Sequence, residues 1–224
     1  MLTTKQIRML DLLDKQIRHC SACKLHLNGR CKPFYTKHSK YAIIGEAPGY
    51  NEIRDNEPFA GPAGEILWRT MADYGLAKED FLIINSVNCR PVNEVKTWKN
   101  GKPTEDQQNK CREWVRKYIK VFEPEKLLVL GNYAMYSALG QSQGIMNLNA
   151  TIVDNRSLWK DYKLLEYDDA PYVLSVHPAL CIYRKDEGLQ MLSESIAKFK
   201  EISERKKPGF DFDDFLEDEE LWKI

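Results

Sequence analysis

Four short apolar runs constrain this chain more than any other feature. They are YAIIG ending at Gly45, FLIIN ending at Asn85, KLLVLG ending at Gly131, and YVLSV ending just before His177. Their continuity, without polar alternation, suits strands buried on both faces of a parallel sheet. Helical spacing recurs between and after them, at about 62–75, 104–121, 132–140 and 187–205. A first helix over 3–19 places Ile7, Leu10, Leu13 and Ile17 on one face. The helix near 104 has a start signal: Pro103 and Thr104 precede Glu105 and Asp106, an N-terminal cap with acids in the first turn. Such alternation predicts a three-layer α/β/α fold around a central four-stranded parallel sheet.

In folds of this kind ligands bind beyond the carboxyl ends of the strands. Glu46, Asn85 and His177 each follow or end a run, so the sheet is expected to gather them at one edge. Glu46 lies in Gly45-Glu46-Ala47-Pro48-Gly49, and PFAGPAG follows at 58–64. Gly-rich turns let backbone N–H groups approach a ligand and hold a carboxylate in place, although an ordinary βα turn has the same composition. His177 stands at the mouth of its run with Pro178 fixing the chain behind it, a placement that suits a hydrogen-bond donor to a ligand and equally a structural histidine.

A length of 224 residues suits one α/β domain with a core that needs no disulfides. We read residues 1–207 as that domain and 208–224 as an appended tail. The 33 basic and 33 acidic side chains cancel only in sum. Seven acids and Lys223 make the tail −6, and the remainder is therefore +6; the first forty residues alone hold nine bases and two acids. A local basic surface with an acidic tail is the pattern to explain, not a neutral protein. No apolar run approaches the ~20 residues that span a bilayer, and the N-terminus lacks the apolar core of a signal peptide. A cytoplasmic protein without membrane partners is the expectation.

Six cysteines in a reducing compartment are more readily thiols or metal ligands than disulfides. Cys20 and Cys23 form a close pair, and Cys89 and Cys111 are distant singles. Four thiolates so arranged can enclose a zinc ion or a [4Fe-4S] cluster, and spacing alone leaves both open. Cys31 is a competitor for such a site, whereas Cys181 reads as a packed thiol.

Taken together, GEAPG, PFxGxAG, the strand ending in Asn85 before NCRP, and HPA, with four cysteines interleaved, resemble the iron–sulfur (family-4) uracil-DNA glycosylases. The likeness runs in order from Cys20 to about Arg184. It implies a [4Fe-4S] cluster on Cys20, Cys23, Cys89 and Cys111, with zinc as the alternative. It also implies excision of uracil from single- or double-stranded DNA, leaving an abasic site. By position, Phe59 would stack on the extruded base, Asn85 would pair with its edge, and His177 would stabilise the departing anion. Glu46, with Gly45 and Ala47, would line the site near the attacking water, and Glu52 matches a second family carboxylate. Arg184 matches a basic position beyond HPA. Lys24 and Arg30 in the cysteine loop, and the insert VNEVKTWKNGK with Lys96, Trp98, Lys99 and Lys102, are expected to meet phosphate.

Uracil excision fits these residue types. A buried base must be extruded, and stacking plus edge-directed hydrogen bonds recover the cost. An asparagine amide matches the O4 acceptor and N3–H donor of uracil and mismatches cytosine. Three departures stand out: Pro62 before Ala63-Gly64, Ile53 where an acid commonly follows Glu52, and a long gap from Cys89 to Cys111. Rival readings are a glycosylase-like DNA-binding or replication accessory protein without turnover, and a glycosylase for another deaminated base. For the tail, docking onto a basic partner or competition with DNA is expected, against a plain solubilising segment.

Overall fold

The computed structural model describes residues 1–93, 99–142, 144–154, 157 and 170–202. The tail at 208–224, and Lys96 and Trp98 of the insert, lie outside the described residues.

Five strands make one sheet: β1 (Tyr41–Gly45), β2 (Phe81–Asn85), β3 (Leu127–Leu130), β4 (Ile152–Val153) and β5 (Tyr172–Ser175), in the order β2-β1-β3-β5-β4. The four runs read from sequence are the four parallel strands, in register Gly45↔Asn85, Ile44↔Val129 and Leu130↔Ser175. β4 is an addition, a two-residue antiparallel edge on β5. Two residues carry no periodicity, which is why the sequence predicts four strands where five form.

Among the described residues seven helices accompany the sheet: α1 (Thr4–Arg18), α2 (Tyr50–Asp55), α3 (Pro62–Asp73), α4 (Glu105–Phe122), α5 (Gly131–Leu139), α6 (Leu180–Tyr183) and α7 (Lys185–Glu201). Thr104 caps α4 as its sequence suggests: its side chain accepts the Gln107 N–H, and Gln107 Oε1 accepts the Thr104 N–H (2.9 Å). α1 opens with the same device at Thr3 and Gln6.

Both sheet faces are covered. Ala42, Ile44, Leu82, Ile84, Leu127, Val129 and Leu174 pack with side chains of α1, α4 and α5. Their neighbours Ile43, Ile83, Leu128, Leu130 and Val173 turn to the other face and meet α3 and α7. Each strand therefore divides its apolar residues between two cores by the two-residue period. The chain runs from β1 outward to β2, then returns to place β3 on β1's other side, so the strand order reverses between β1 and β3. That reversal opens a crevice at the carboxyl edge.

Candidate active site and cysteine cavity

A cleft of about 520 Å³ occupies that edge, lined by Glu46, Ala47, Glu52, Phe59, Asn85, Lys102 and His177 among others. Glu46, Asn85 and His177, far apart in sequence, meet here as the topology requires. Gly45 sits opposite Asn85 on the adjacent strand; a Cβ there would strike the Asn85 Oδ1 and come within 2.9 Å of the Phe59 ring. Glycine at 45 thus lets the amide and the ring close in on one backbone.

Phe59 is held under constraint. Its φ is +56°, a left-handed conformation uncommon outside glycine, and its ring is buried. Glu52 supports that turn: one carboxylate oxygen accepts the Gly49 N–H and the other the Phe59 N–H (3.2 Å). Gly64 supports it from α3, where any Cβ would fall on the Phe59 carbonyl. The Phe59 ring lies 28° from parallel to His177 at 6.0 Å and meets Trp68 edge-on at 6.1 Å.

His177 accepts the Ala179 N–H at Nδ1 (3.2 Å). A neutral ring with that acceptor carries its proton on Nε2, making Nε2–H a donor. Burial holds the imidazole down to about 4, so it is neutral near pH 7. Glu46 responds oppositely: burial pushes its carboxyl up to about 7, and Lys102 pulls against that rise. Glu52 is also raised by burial, against the lowering effect of its two backbone donors.

The four cysteines of the expected ligand set converge on a second, enclosed cavity. Cys20, Cys23, Cys89 and Cys111 line it with Ile17, Arg30, Lys110 and Trp114. Cys20 follows α1, Cys89 belongs to the β2–α4 connection and Cys111 lies in α4, so one site ties three parts of the fold. Cys31 and Cys181 are buried elsewhere and do not line it. Among the described residues no three His, Cys, Asp or Glu side chains are grouped so as to hold one metal ion.

The surroundings suit an anionic group. Arg30 donates from Nε to the Cys89 Sγ (3.4 Å) and from Nη2 to the Cys20 carbonyl (2.6 Å). Lys117 is 2% exposed, its Nζ has no acceptor, and it lies 5.2 Å from the Trp114 ring. Burial pulls the Lys117 amine down, opposed first by Glu113 and then by Cys20, so negative charge at the cysteine site would favour its charged form.

The remaining expected residues fall as follows. Arg30 serves the cysteine cavity, and also borders a groove of about 600 Å³ with Arg18, His19, His26 and Lys32. Among the described residues no acid lines that groove, and Ile53 and Asn56 at the far side of α2 form its wall, so α2 separates it from the main cleft. Lys24 is exposed at the start of the cysteine-loop turn. Arg184 is exposed and paired with Glu187 (3.2 Å) at the α6–α7 junction. Its neighbours, not foreseen from sequence, line the cleft: Ile182 and Tyr183, the latter 82% exposed. Asn100 was missed as well, because its place depends on how the insert folds back.

Two departures from the family pattern have local reasons. Pro62 occupies the first turn of α3, where its missing N–H is no loss. Ile53 packs its Cγ2 where a side chain at Gly29 would stand, clamping α2 to the cysteine loop.

Comparison with known proteins agrees with this geometry. Residues 32–201 match the uracil DNA glycosylase superfamily. The chain belongs to that superfamily. A type-4 uracil-DNA glycosylase of Archaeoglobus fulgidus is 30% identical over 213 residues, covering 91% of this chain and 98% of the relative. Those of Saccharolobus solfataricus and Thermotoga maritima are 30% and 26% identical, covering 88% of this chain each and 88% and 96% of the relatives. The superfamily match begins after the Cys20-Cys23 pair, but the alignment to the Archaeoglobus glycosylase spans nearly the whole chain.

Proposed function

We propose that this superfamily member is a uracil-DNA glycosylase that flips uracil from DNA and hydrolyses its N-glycosidic bond. The observation that carries the reading is the convergence of Phe59, Asn85, His177 and Glu46 on one cleft at the carboxyl edge of the sheet. Phe59, preset by Glu52 and Gly64, offers a face for the extruded base. Asn85 offers a donor and an acceptor to its Watson–Crick edge. Bond cleavage leaves negative charge on the base, and the neutral His177 Nε2–H stabilises it as a preorganised donor. Glu46 in its ionised form orients water and balances the positive charge that develops on the sugar. Glu52, whose oxygens already serve two backbone amides, acts by positioning Phe59.

Cys20, Cys23, Cys89 and Cys111 would hold the [4Fe-4S] cluster, with zinc as the alternative; their convergence on one cavity and the resemblance of the sequence to the iron–sulfur glycosylases support the cluster. Bound there, the cluster supplies a structural cross-link between α1, the β2–α4 connection and α4. The acid-free groove beyond α2, together with Lys24, would follow the phosphates, and exposed Ile182 and Tyr183 suit an apolar wedge at the base stack. Arg184 joins the phosphate contacts only on leaving Glu187.

The test is incubation with uracil-containing single-stranded and duplex oligonucleotides, followed by alkaline cleavage of abasic sites. Strand breaks at uracil are expected, with hypoxanthine and xanthine substrates inert; DNA binding without breaks would overturn the reading. Iron, sulfide and zinc are assayed on anaerobically purified protein, and stoichiometric zinc without iron would reject the cluster.

A further inference from the structure

The described residues 90–93 and 99–102, at either end of the insert between β2 and α4, pair as an arm beside the cleft. Val92 bridges Asn100, the Asn93 N–H donates to the Lys99 carbonyl (3.1 Å), and the Gly101 N–H donates to the Pro91 carbonyl (2.8 Å). Arg90 anchors the arm, donating from Nε to Asn100 Oδ1 (2.9 Å) while its guanidinium lies 5.6 Å from the Tyr50 ring. The next residue after this anchored stretch, Lys102, thereby lines the cleft. Among the described residues that line it, Lys102 is the sole lysine or arginine.

We propose that Lys102 is a positioning residue for uracil excision, sharing the cleft with Glu46 and supplying the positive charge that keeps this carboxylate ionised in the closed complex. The inference rests on the role given to Glu46 above. Among the described residues, Glu52 and Tyr50 from α2, Tyr133 from α5, Tyr183 from α6 and His177 beyond β5 are the other titratable groups that line the cleft or act on Glu46. None of them is a cation at neutral pH: Glu52 is an acid, a tyrosine carries no positive charge in either form, and the His177 imidazole is kept neutral by burial. Docking of DNA adds phosphate charge and removes water, and both favour protonation of a carboxylate. Lys102, on the wall of the same cleft, offsets that pressure, in the direction in which it pulls the Glu46 carboxyl without DNA.

The test compares wild type with Lys102→Met and Lys102→Arg. The Glu46 carboxyl is titrated by carbon-13 NMR, with Glu46→Gln assigning the resonance, and kcat/KM on a uracil oligonucleotide is then measured from about pH 6 to about pH 9. The expected result is a higher Glu46 midpoint in Lys102→Met, restored by Lys102→Arg. The rate deficit of Lys102→Met should grow several-fold toward low pH and shrink toward high pH. An unchanged midpoint overturns the proposal whatever the activity. So does a pH-independent deficit that salt abolishes, which would make Lys102 a phosphate contact. Should wild type excise no uracil, the excision reading fails, while the titration still judges the pairing of Lys102 with Glu46.

Discussion

The cleft and the cysteine cavity bury acids by the same physics and leave them in different states. Burial lifts Glu46 from 4.5 to about 7 and Cys111 from 9.0 to about 12. The first value lies where one neighbouring ammonium decides the charge. The second lies so far above neutrality that a thiolate there requires a metal to displace the proton. The cleft is thus a site whose charge responds to its own side chains and to pH, and the cavity is one whose thiols would become charged with the proposed cofactor bound. The β2–α4 connection joins them, lining the cleft with Lys102 and the cavity with Cys89.

Substitution on each side should separate the two. The largest effect is expected from Cys111→Ser, which removes a proposed ligand and leaves Arg30 facing an incomplete site. Loss of iron and of visible absorption should accompany a fall in melting temperature larger than that of any cleft variant named here. Retention of iron with wild-type stability would show that Cys111 is no ligand. On the cleft side, His177→Ala removes the anion-stabilising donor and should lower kcat by about 10²–10³-fold, with iron content unchanged. Because the imidazole is held at about 4, no titration of His177 should appear in the pH–rate profile between about pH 5.5 and 9. A limb that disappears specifically in a His177 variant would contradict a neutral donor.

How much of this was legible beforehand differs between the two regions for a physical reason. The four parallel strands are uninterrupted aliphatic runs because both faces are buried, and strand ends locate Glu46, Asn85 and His177 without further help. The cysteine pair and singles were visible as residues, but the choice of Cys89 and Cys111 over Cys31 came from likeness to a family, not from spacing. Burial of Cys31 away from the cavity is a tertiary fact. Short elements escaped: α2 and α6 are too brief for a helical period, and with them went the wall between cleft and groove and the rim residues Ile182 and Tyr183. Glu52 was read as a second catalytic carboxylate because sequence shows a side chain and not its partners; its hydrogen bonds to Gly49 and Phe59 suggest support. Arg30 is a similar case, a base whose nearest partners are a sulfur and a carbonyl.

The smallest predicted effect concerns stability and gives the comparison its sign. Glu46 has a folded-state pKa of about 7 against 4.5 unfolded, so the folded protein binds the proton more tightly. The stability gained from the protonated form is fully present below about 4.5 and is lost as pH rises toward 7. Above that, holding the carboxylate ionised costs about 3 kcal/mol, from the 2.5-unit difference between those two values at 1.36 kcal/mol per unit. Glu46→Gln, which cannot ionise, should therefore be more stable than wild type by up to about 3 kcal/mol near pH 8, and nearly equal to it near pH 5. Urea denaturation at the two pH values checks this. The same variant should excise uracil poorly at both. A glutamine variant that gained no stability at pH 8 would mean that Lys102 and water already neutralise the cost of the buried charge, and the cleft would then differ from the cysteine cavity in being effectively solvated.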